Sequence, residues 1–285
     1  MGDRAVITTK EMRLGVYLHW DGEINQVKAF LKYCKDTGVS SPEKDASGWA
    51  ALCAVACNYN GNGMSVGIDN YEYLDSNNRD NGTYIIKDWE IVKRKYNRYS
   101  IGTEEKERFL ERLNTVYSRQ AAPLQIHDSS DAVPDYDSVI ITDKDPRIGI
   151  YFSNAKGGLD IDSLLLYCKM HKFMPPEDDN YGWSYLTAVM YNYFVGSCGD
   201  KRVVSVELLK RRNFFTHPVV NVYPINEWER TDQKVEPREK EDILGGLLKI
   251  NGCQPCNMSL SREELELAAL HKSQEKEAEV SAPTR

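Results

Sequence analysis

The side chains best suited to chemistry lie in Tyr17-Leu18-His19-Trp20-Asp21-Gly22, where a phenol, an imidazole and a carboxylate alternate along one short stretch. Imidazole titrates near neutrality, so His19 could serve as a general base or a ligand, with Tyr17 and Asp21 as its partners at a strand end. That chemistry would make the chain a small-ligand or nucleotide-binding protein, or a hydrolase. The plainer alternative is a strand-end histidine beside a Trp20 that packs over the next helix.

Three further constellations each have a bland counterpart. The run from Asp69 to Gly82 contains Asp75, Asn77, Asn78, Asp80 and Asn81, which carry the oxygen donors that calcium prefers. Arg79 stands where the twelve-residue calcium loop wants a ligand, so the run reads as a polar hairpin loop. Cys253-Gln254-Pro255-Cys256 is a single Cys-x-x-Cys pair with His271 as the only nearby histidine. Zinc takes four ligands, so no metal is expected there. Lys210-Arg211-Arg212 beside Phe214-Phe215, and Lys93-Arg94-Lys95 beside Tyr96, set cations next to aromatics as single-strand nucleic-acid binders do. Both runs are short enough to be solvated sheet edges. Phosphate-cradling Gly-rich loops, a nucleophile elbow and a two-histidine zinc helix are missing, so no cofactor is expected.

What must position these residues is a repeated unit. Shifted by 134 positions, residues 5–59 align with residues 139–193 without a gap. Ile7-Thr8, Lys10, Arg13, Gly15 and Tyr17 meet Ile141-Thr142, Lys144, Arg147, Gly149 and Tyr151. Further along, Tyr33-Cys34-Lys35 meets Tyr167-Cys168-Lys169, Pro42-Glu43 meets Pro176-Glu177, Gly48-Trp49 meets Gly182-Trp183, and Asn58-Tyr59 meets Asn192-Tyr193. The offset then drifts by a few residues, pairing Ser65-Val66 with Ser205-Val206 and Trp89-Glu90 with Trp228-Glu229, as an insertion in a surface loop would cause. His19 has no counterpart, because its aligned position is Ser153.

Periodicity assigns the elements. Ala5 to Thr9 and Leu14 to Trp20 read as a hairpin, as do Val139–Thr142 and Ile148–Phe152. Ile24, Val27, Leu31 and Cys34 then recur at helical spacing, followed by a second helix carrying Trp49, Leu52, Cys53, Ala56 and Tyr59, with Ser47 as its expected N-cap. Met64–Ile68 and Thr83–Trp89 return to strand, with Asn81-Gly82 as a type I′ turn signal; the second copy has Val203–Leu208 and Val219–Ile225, where Pro218 and Pro224 suggest an edge. The expected fold is α+β: a tandem duplication of a β-β-α-α-β-β module, each an antiparallel sheet with two helices on one face. The expected division is a first module at 1–95, a helical and flexible linker at 96–138, a second module at 139–230 and an acidic helical tail at 231–285. Within the linker, residues 103–119 read as an amphipathic helix; within the tail, Ser261 and Glu264 form a capping box, and composition turns disordered from about Lys272. The two modules are expected to pair about a pseudo-twofold, sheet edge to edge or face to face.

Charge excludes two functions. Nearly all of the net charge of −7 lies outside the modules, since residues 5–95 carry 11 basic and 12 acidic side chains and residues 139–230 carry 11 of each. Neither an acidic nucleic-acid mimic nor a basic nucleic-acid binder fits that balance. No apolar run is long enough to span a membrane, and the seven cysteines lack a disulfide framework, so a cytoplasmic chain with core thiols is expected.

The opening Met1-Gly2-Asp3-Arg4-Ala5, followed by Tyr17-x-His19-Trp20-x-Gly22, resembles a group of uncharacterised proteins encoded by bacteriophages and prophages. The resemblance covers the first module at most and carries no activity onto any residue. It implies an accessory phage protein acting in the cytoplasm of a bacterial host cell. With catalytic motifs missing, the expected function is non-enzymatic: binding a host protein or complex, to antagonise a host defence or remodel a host assembly.

Overall fold

The computed structural model describes residues 3–60, 65–95, 113, 136–144, 146–209, 219–232, 238–253 and 259–281. Among them, two mixed five-stranded sheets and seven helices make an α+β fold. In the first unit Ala5–Thr9 (β1) and Leu14–Leu18 (β2) form a hairpin, Ile24–Asp36 (α1) and Ser47–Asn60 (α2) follow, and Val66–Asn70 (β3), Thr83–Lys87 (β4) and Glu90–Lys95 (β5) complete the sheet. The second unit runs Ser138–Thr142 (β6), Ile148–Phe152 (β7), the one-turn Asn154–Gly157 (α3), Ile161–Met170 (α4), Asn180–Cys198 (α5), Val204–Leu208 (β8), Asn221–Asn226 (β9) and Glu229–Arg230 (β10). Strand orders β3-β2-β1-β4-β5 and β8-β7-β6-β9-β10 correspond one to one. Lys240–Gly252 (α6) and Arg262–Ser281 (α7) form the tail.

The expected antiparallel sheets are in fact mixed, because β1 pairs with β4, and β6 with β9, in parallel. β2 reverses β1 and β3 reverses β2, so β3 ends at the far edge pointing the same way as β1. To reach β1's other side the chain must travel back along the sheet, as a parallel connection requires. Residues 71–82 make that journey, and this is why they are polar. Asn78 is buried, its side-chain oxygen accepts from the Gly82 amide (2.9 Å), and its amide nitrogen donates to the carbonyls of Asp75 (3.1 Å) and Gly82 (3.2 Å). Arg4 holds Asp80 at 2.7 Å. The carboxylates and amides read as calcium-like donors close a crossover, and no three metal-capable side chains cluster among the described residues.

Turn chemistry also lies elsewhere than expected. Asn81-Gly82 forms no two-residue turn; the type I′ geometry belongs to Asp88-Trp89 and Glu227-Trp228, where both residues of each pair have positive φ. These turns add β5 and β10, which the sequence reading omitted. β9 is therefore an inner strand despite Pro224, although β10 pairs with only two of its residues. Asp45, not Ser47, accepts the first helical amide of α2 at 2.9 Å, and the aligned Asp179 accepts the Tyr181 amide, the second of α5, at 3.1 Å. Gly48 and Gly182 let each helix press on the loop before it, since a Cβ there would lie 2.5 Å from the Ser40 or Met174 carbonyl oxygen. The capping box of α7 is as expected, with Ser261 and Glu264 bonded reciprocally. That helix continues to Ser281, with Ser273 and Lys276 buried, rather than fraying at Lys272.

Both helices of each unit cover the same sheet face. Ile7, Val16, Val66, Tyr84 and Ile86 point into a core shared with α1 and α2, whereas Val6, Tyr17 and Leu74 make a small separate cluster on the other face. Trp49 and Trp183 occupy matching places at the starts of α2 and α5, and both are buried.

The units join through helices, not sheet to sheet. α2 packs against α5, while α5 runs along the edge strand β3 and α2 along β8. At the centre Asn58 donates to Asn192 Oδ1 at 2.8 Å and Asn192 donates back to Asn58 Oδ1 at 2.7 Å. A reciprocal pair of aligned residues is the signature of a twofold relation. Nearby, Ser184 Oγ bonds the Val66 carbonyl of the opposite unit, and Arg147 lies 3.5 Å from the buried Asp69 and 4.5 Å above the Tyr73 ring. One continuous core spans both units and includes Leu113. The rest of the linker helix expected at 103–119, the Lys210–Phe215 run and Cys256 lie outside the described residues.

Candidate functional site

The three residues expected to carry chemistry do not converge. Tyr17 is buried on the outer sheet face 6.4 Å from the Tyr181 ring, and burial pushes its pKa up to about 12. The His19 ring stands edge-on to Trp20 at 4.9 Å and to Tyr17 at 6.4 Å. Trp20 is 45% exposed. Asp21 adopts a left-handed backbone (φ 59°) that turns it toward α1, where it accepts from Gln26 Nε2 at 3.4 Å. Gln26 itself closes the capping box of α1 by accepting the Glu23 amide at 3.2 Å. The motif thus converts a strand end into a helix start.

The recess that sequence reasoning missed lies between α1 and the β4–β5 hairpin. The type I′ turn swings Trp89 inward so that its Nε1 donates to the Val39 carbonyl at 2.7 Å; Trp228 repeats this on Phe173 at 3.1 Å. Beside each indole an ion pair bridges helix to hairpin, Lys35 to Glu90 at 2.9 Å and Lys169 to Glu229 at 2.8 Å. Glu43 fastens the first hairpin further by accepting the Asp88 amide at 2.6 Å. Its counterpart Glu177 keeps both carboxylate oxygens buried, and burial raises its pKa against the opposing Glu177 and Glu227 backbone amides.

The two grooves differ in what borders them. In the second unit α7, which packs on α6, borders the groove through Lys272, Glu275 and Lys276, with Lys272 3.5 Å from Glu229, leaving about 130 Å³. The first unit's groove holds about 350 Å³ over a floor of Leu31, Trp89 and Ile91. Its helix side presents Lys28, Lys32 and Lys35, where the second unit has Asp162, Leu166 and Lys169. The signal available in sequence was the Trp-Glu pair that both units place opposite an aligned lysine.

Every cysteine among the described residues is a free thiol, and Cys34, Cys53, Cys57 and Cys168 are buried as expected. Burial raises the Cys34, Cys53 and Cys168 pKa values, which keeps these thiols protonated and inert. Cys253 is half-buried and its pKa is likewise raised by burial.

His171 makes a pH prediction. It sits among Tyr167 (4.8 Å), Tyr185 (5.5 Å) and Phe173 (5.9 Å), its Nε2 is buried without a hydrogen bond, and desolvation lowers its pKa against the opposing Glu264. The native state then binds fewer protons than the unfolded chain, so stability is full above the unfolded histidine pKa of about 6.5 and declines as pH falls toward the depressed native value. Melting temperatures measured at about pH 7.5 and pH 5.5 should fall more for the unaltered chain than for His171→Phe. Equal falls would show that His171 is not held neutral by its surroundings.

No family model, curated protein or solved structure matches this chain.

Proposed function

We propose that the chain is a non-enzymatic, phage-type accessory protein that arose by duplication of one module and binds a protein or complex of a bacterial host, antagonising a host defence or remodelling a host assembly. One observation supports the binding reading: two equivalent grooves are built by the same elements, and α7 borders one, whereas among the described residues only α1 and the β4–β5 hairpin border the other. A groove built twice and bordered by α7 only once leaves its twin for a partner. Free thiols fit a reducing cytoplasm, and no helix among the described residues is long and apolar enough to cross a membrane. The rival reading, chemistry at His19, has less support because Tyr17 is buried and Asp21 serves the α1 cap. Affinity purification of the tagged full chain from expressing bacteria should recover a host protein in stoichiometric amount. Recovery of none, or of a bound nucleotide seen by native mass spectrometry, would overturn the proposal.

A further inference from the structure

Resting on the binding reading, we propose that the outer face of the β4–β5 hairpin takes an acidic segment of the partner protein, one with a bulky apolar side chain set between carboxylates. There the ends of β4 and β5 and the β1–β2 turn enclose a cavity of about 600 Å³. Its apolar seat is open to solvent. The β4–β5 register pairs Ile86 with Ile91 and Ile85 with Lys93, so Val92 is an extra residue on the edge strand. Such a bulge re-aims a side chain, and Val92 is left 58% exposed at the cavity beside the half-buried Met12. A single exposed valine is ordinary, but this one lines a cavity ringed by like charges.

Charge selects the occupant. Lys10 from the β1–β2 turn, Lys87 from the end of β4, and Lys93 and Lys95 from β5 line the cavity, and none is in an ion pair among the described residues. Lys95 donates to the Met12 thioether at 3.0 Å, which leaves its charge unbalanced. Two carboxylates share the lining, and both have donors of their own. Glu43 accepts the Asp88 amide at 2.6 Å and the Ser41 hydroxyl at 2.7 Å, and Glu11 accepts from the Thr9 side chain. Lysines on an edge strand commonly guard it against strand pairing, which accounts for Lys93 and Lys95 but not for Lys10 and Lys87, which lie off the edge. The same lysines and bulge disfavour an added strand, so the occupant lies on the face and meets the cations with carboxylates. Among the described residues no aromatic ring lines the cavity for a base to stack on, which favours an acidic peptide over single-stranded nucleic acid. In the second unit Lys87 corresponds to Asn226, and Val92-Lys93 to Thr231-Asp232, with Asp232 2.9 Å from Arg230. A hydroxyl and a carboxylate thus stand where the first unit has a valine and a lysine.

The test uses two labelled peptides, Gly-Glu-Asp-Phe-Asp-Glu-Gly and the same peptide with glycine for phenylalanine, against the full-length chain. Fluorescence anisotropy should show the phenylalanine peptide binding at least about tenfold tighter than the other, and more weakly as salt rises. A Lys87→Glu/Lys93→Glu chain and a Val92→Asp chain, altered only at exposed positions, should keep the melting temperature and bind that peptide at least about tenfold more weakly. Equal binding of the two peptides, or unchanged binding to either altered chain, would overturn the proposal. So would tighter binding of a thymidine oligonucleotide, or of vesicles of phosphatidylglycerol and phosphatidylcholine, than of the peptide. A dimer in light scattering that the lysine changes dissolve would likewise overturn it and make a second copy the occupant. If the phenylalanine peptide fails while a stoichiometric host protein still co-purifies, this face is wrong and the binding function stands. Peptide binding with no host protein recovered would sink the function reading and leave the face.

Discussion

Replacing Trp183 with alanine is expected to cost about 3–5 kcal/mol, the range for emptying an aromatic site in a packed core. Trp183 is the largest of the fully buried side chains, and it sits near the start of α5, a helix buried on all sides from Gly182 to Phe194. Surroundings gripped between two sheets and α2 have little room to collapse into the vacated space, which places the cost toward the upper end. Since native domains are stable by roughly 5–15 kcal/mol, the variant should denature at a much lower urea concentration. Trp20→Ala is the control: that indole is 45% exposed and its loss should stay within about half a kcal/mol. Trp49→Ala, buried at the matching place in α2, should resemble Trp183→Ala. Equal urea midpoints for Trp183→Ala and Trp20→Ala would refute the assigned packing.

These contrasts separate what the sequence makes legible from what it does not. The β1–β2 and β6–β7 hairpins, the helix faces and the matching tryptophans were readable because each rests on local periodicity. The parallel pairing of β1 with β4 was not, because nothing local distinguishes a hairpin loop from a crossover when both are rich in Asn and Asp. Asn81-Gly82 misled for a related reason. The true I′ turns use Asp88-Trp89 and Glu227-Trp228, where a tertiary hydrogen bond from the indole to Val39 or Phe173 selects a left-handed backbone that Trp would not favour alone. The candidate site failed on the same point. Tyr17, His19 and Asp21 are neighbours in sequence, yet one left-handed residue turns the carboxylate away to a helix cap. The grooves combine a helix with a hairpin more than fifty residues later, so only the shared Trp-Glu pair hinted at them.

Separating the two units is expected to have the other large effect. A helix on a half-solvated module shows one apolar stripe, but every residue of α2 from Ser47 to Asn58 is buried. Such a helix requires cover on all sides, and in the intact chain α5 and β8 provide it. A fragment of residues 1–95 therefore exposes the Ala- and Cys-lined side of α2, together with Asn58, to water. It should melt well below the intact protein or associate through α2, with Asn58 meeting Asn58 of a second fragment as it now meets Asn192. Light scattering and thermal melting measure both outcomes. In the intact chain, Asn58→Leu should cost about 1–3 kcal/mol by stranding the buried Asn192 amide, and adding Asn192→Leu should recover part of that loss. A fragment that stays monomeric at the intact protein's melting temperature would show that the units are independent folds and that the α2–α5 contact contributes no stability.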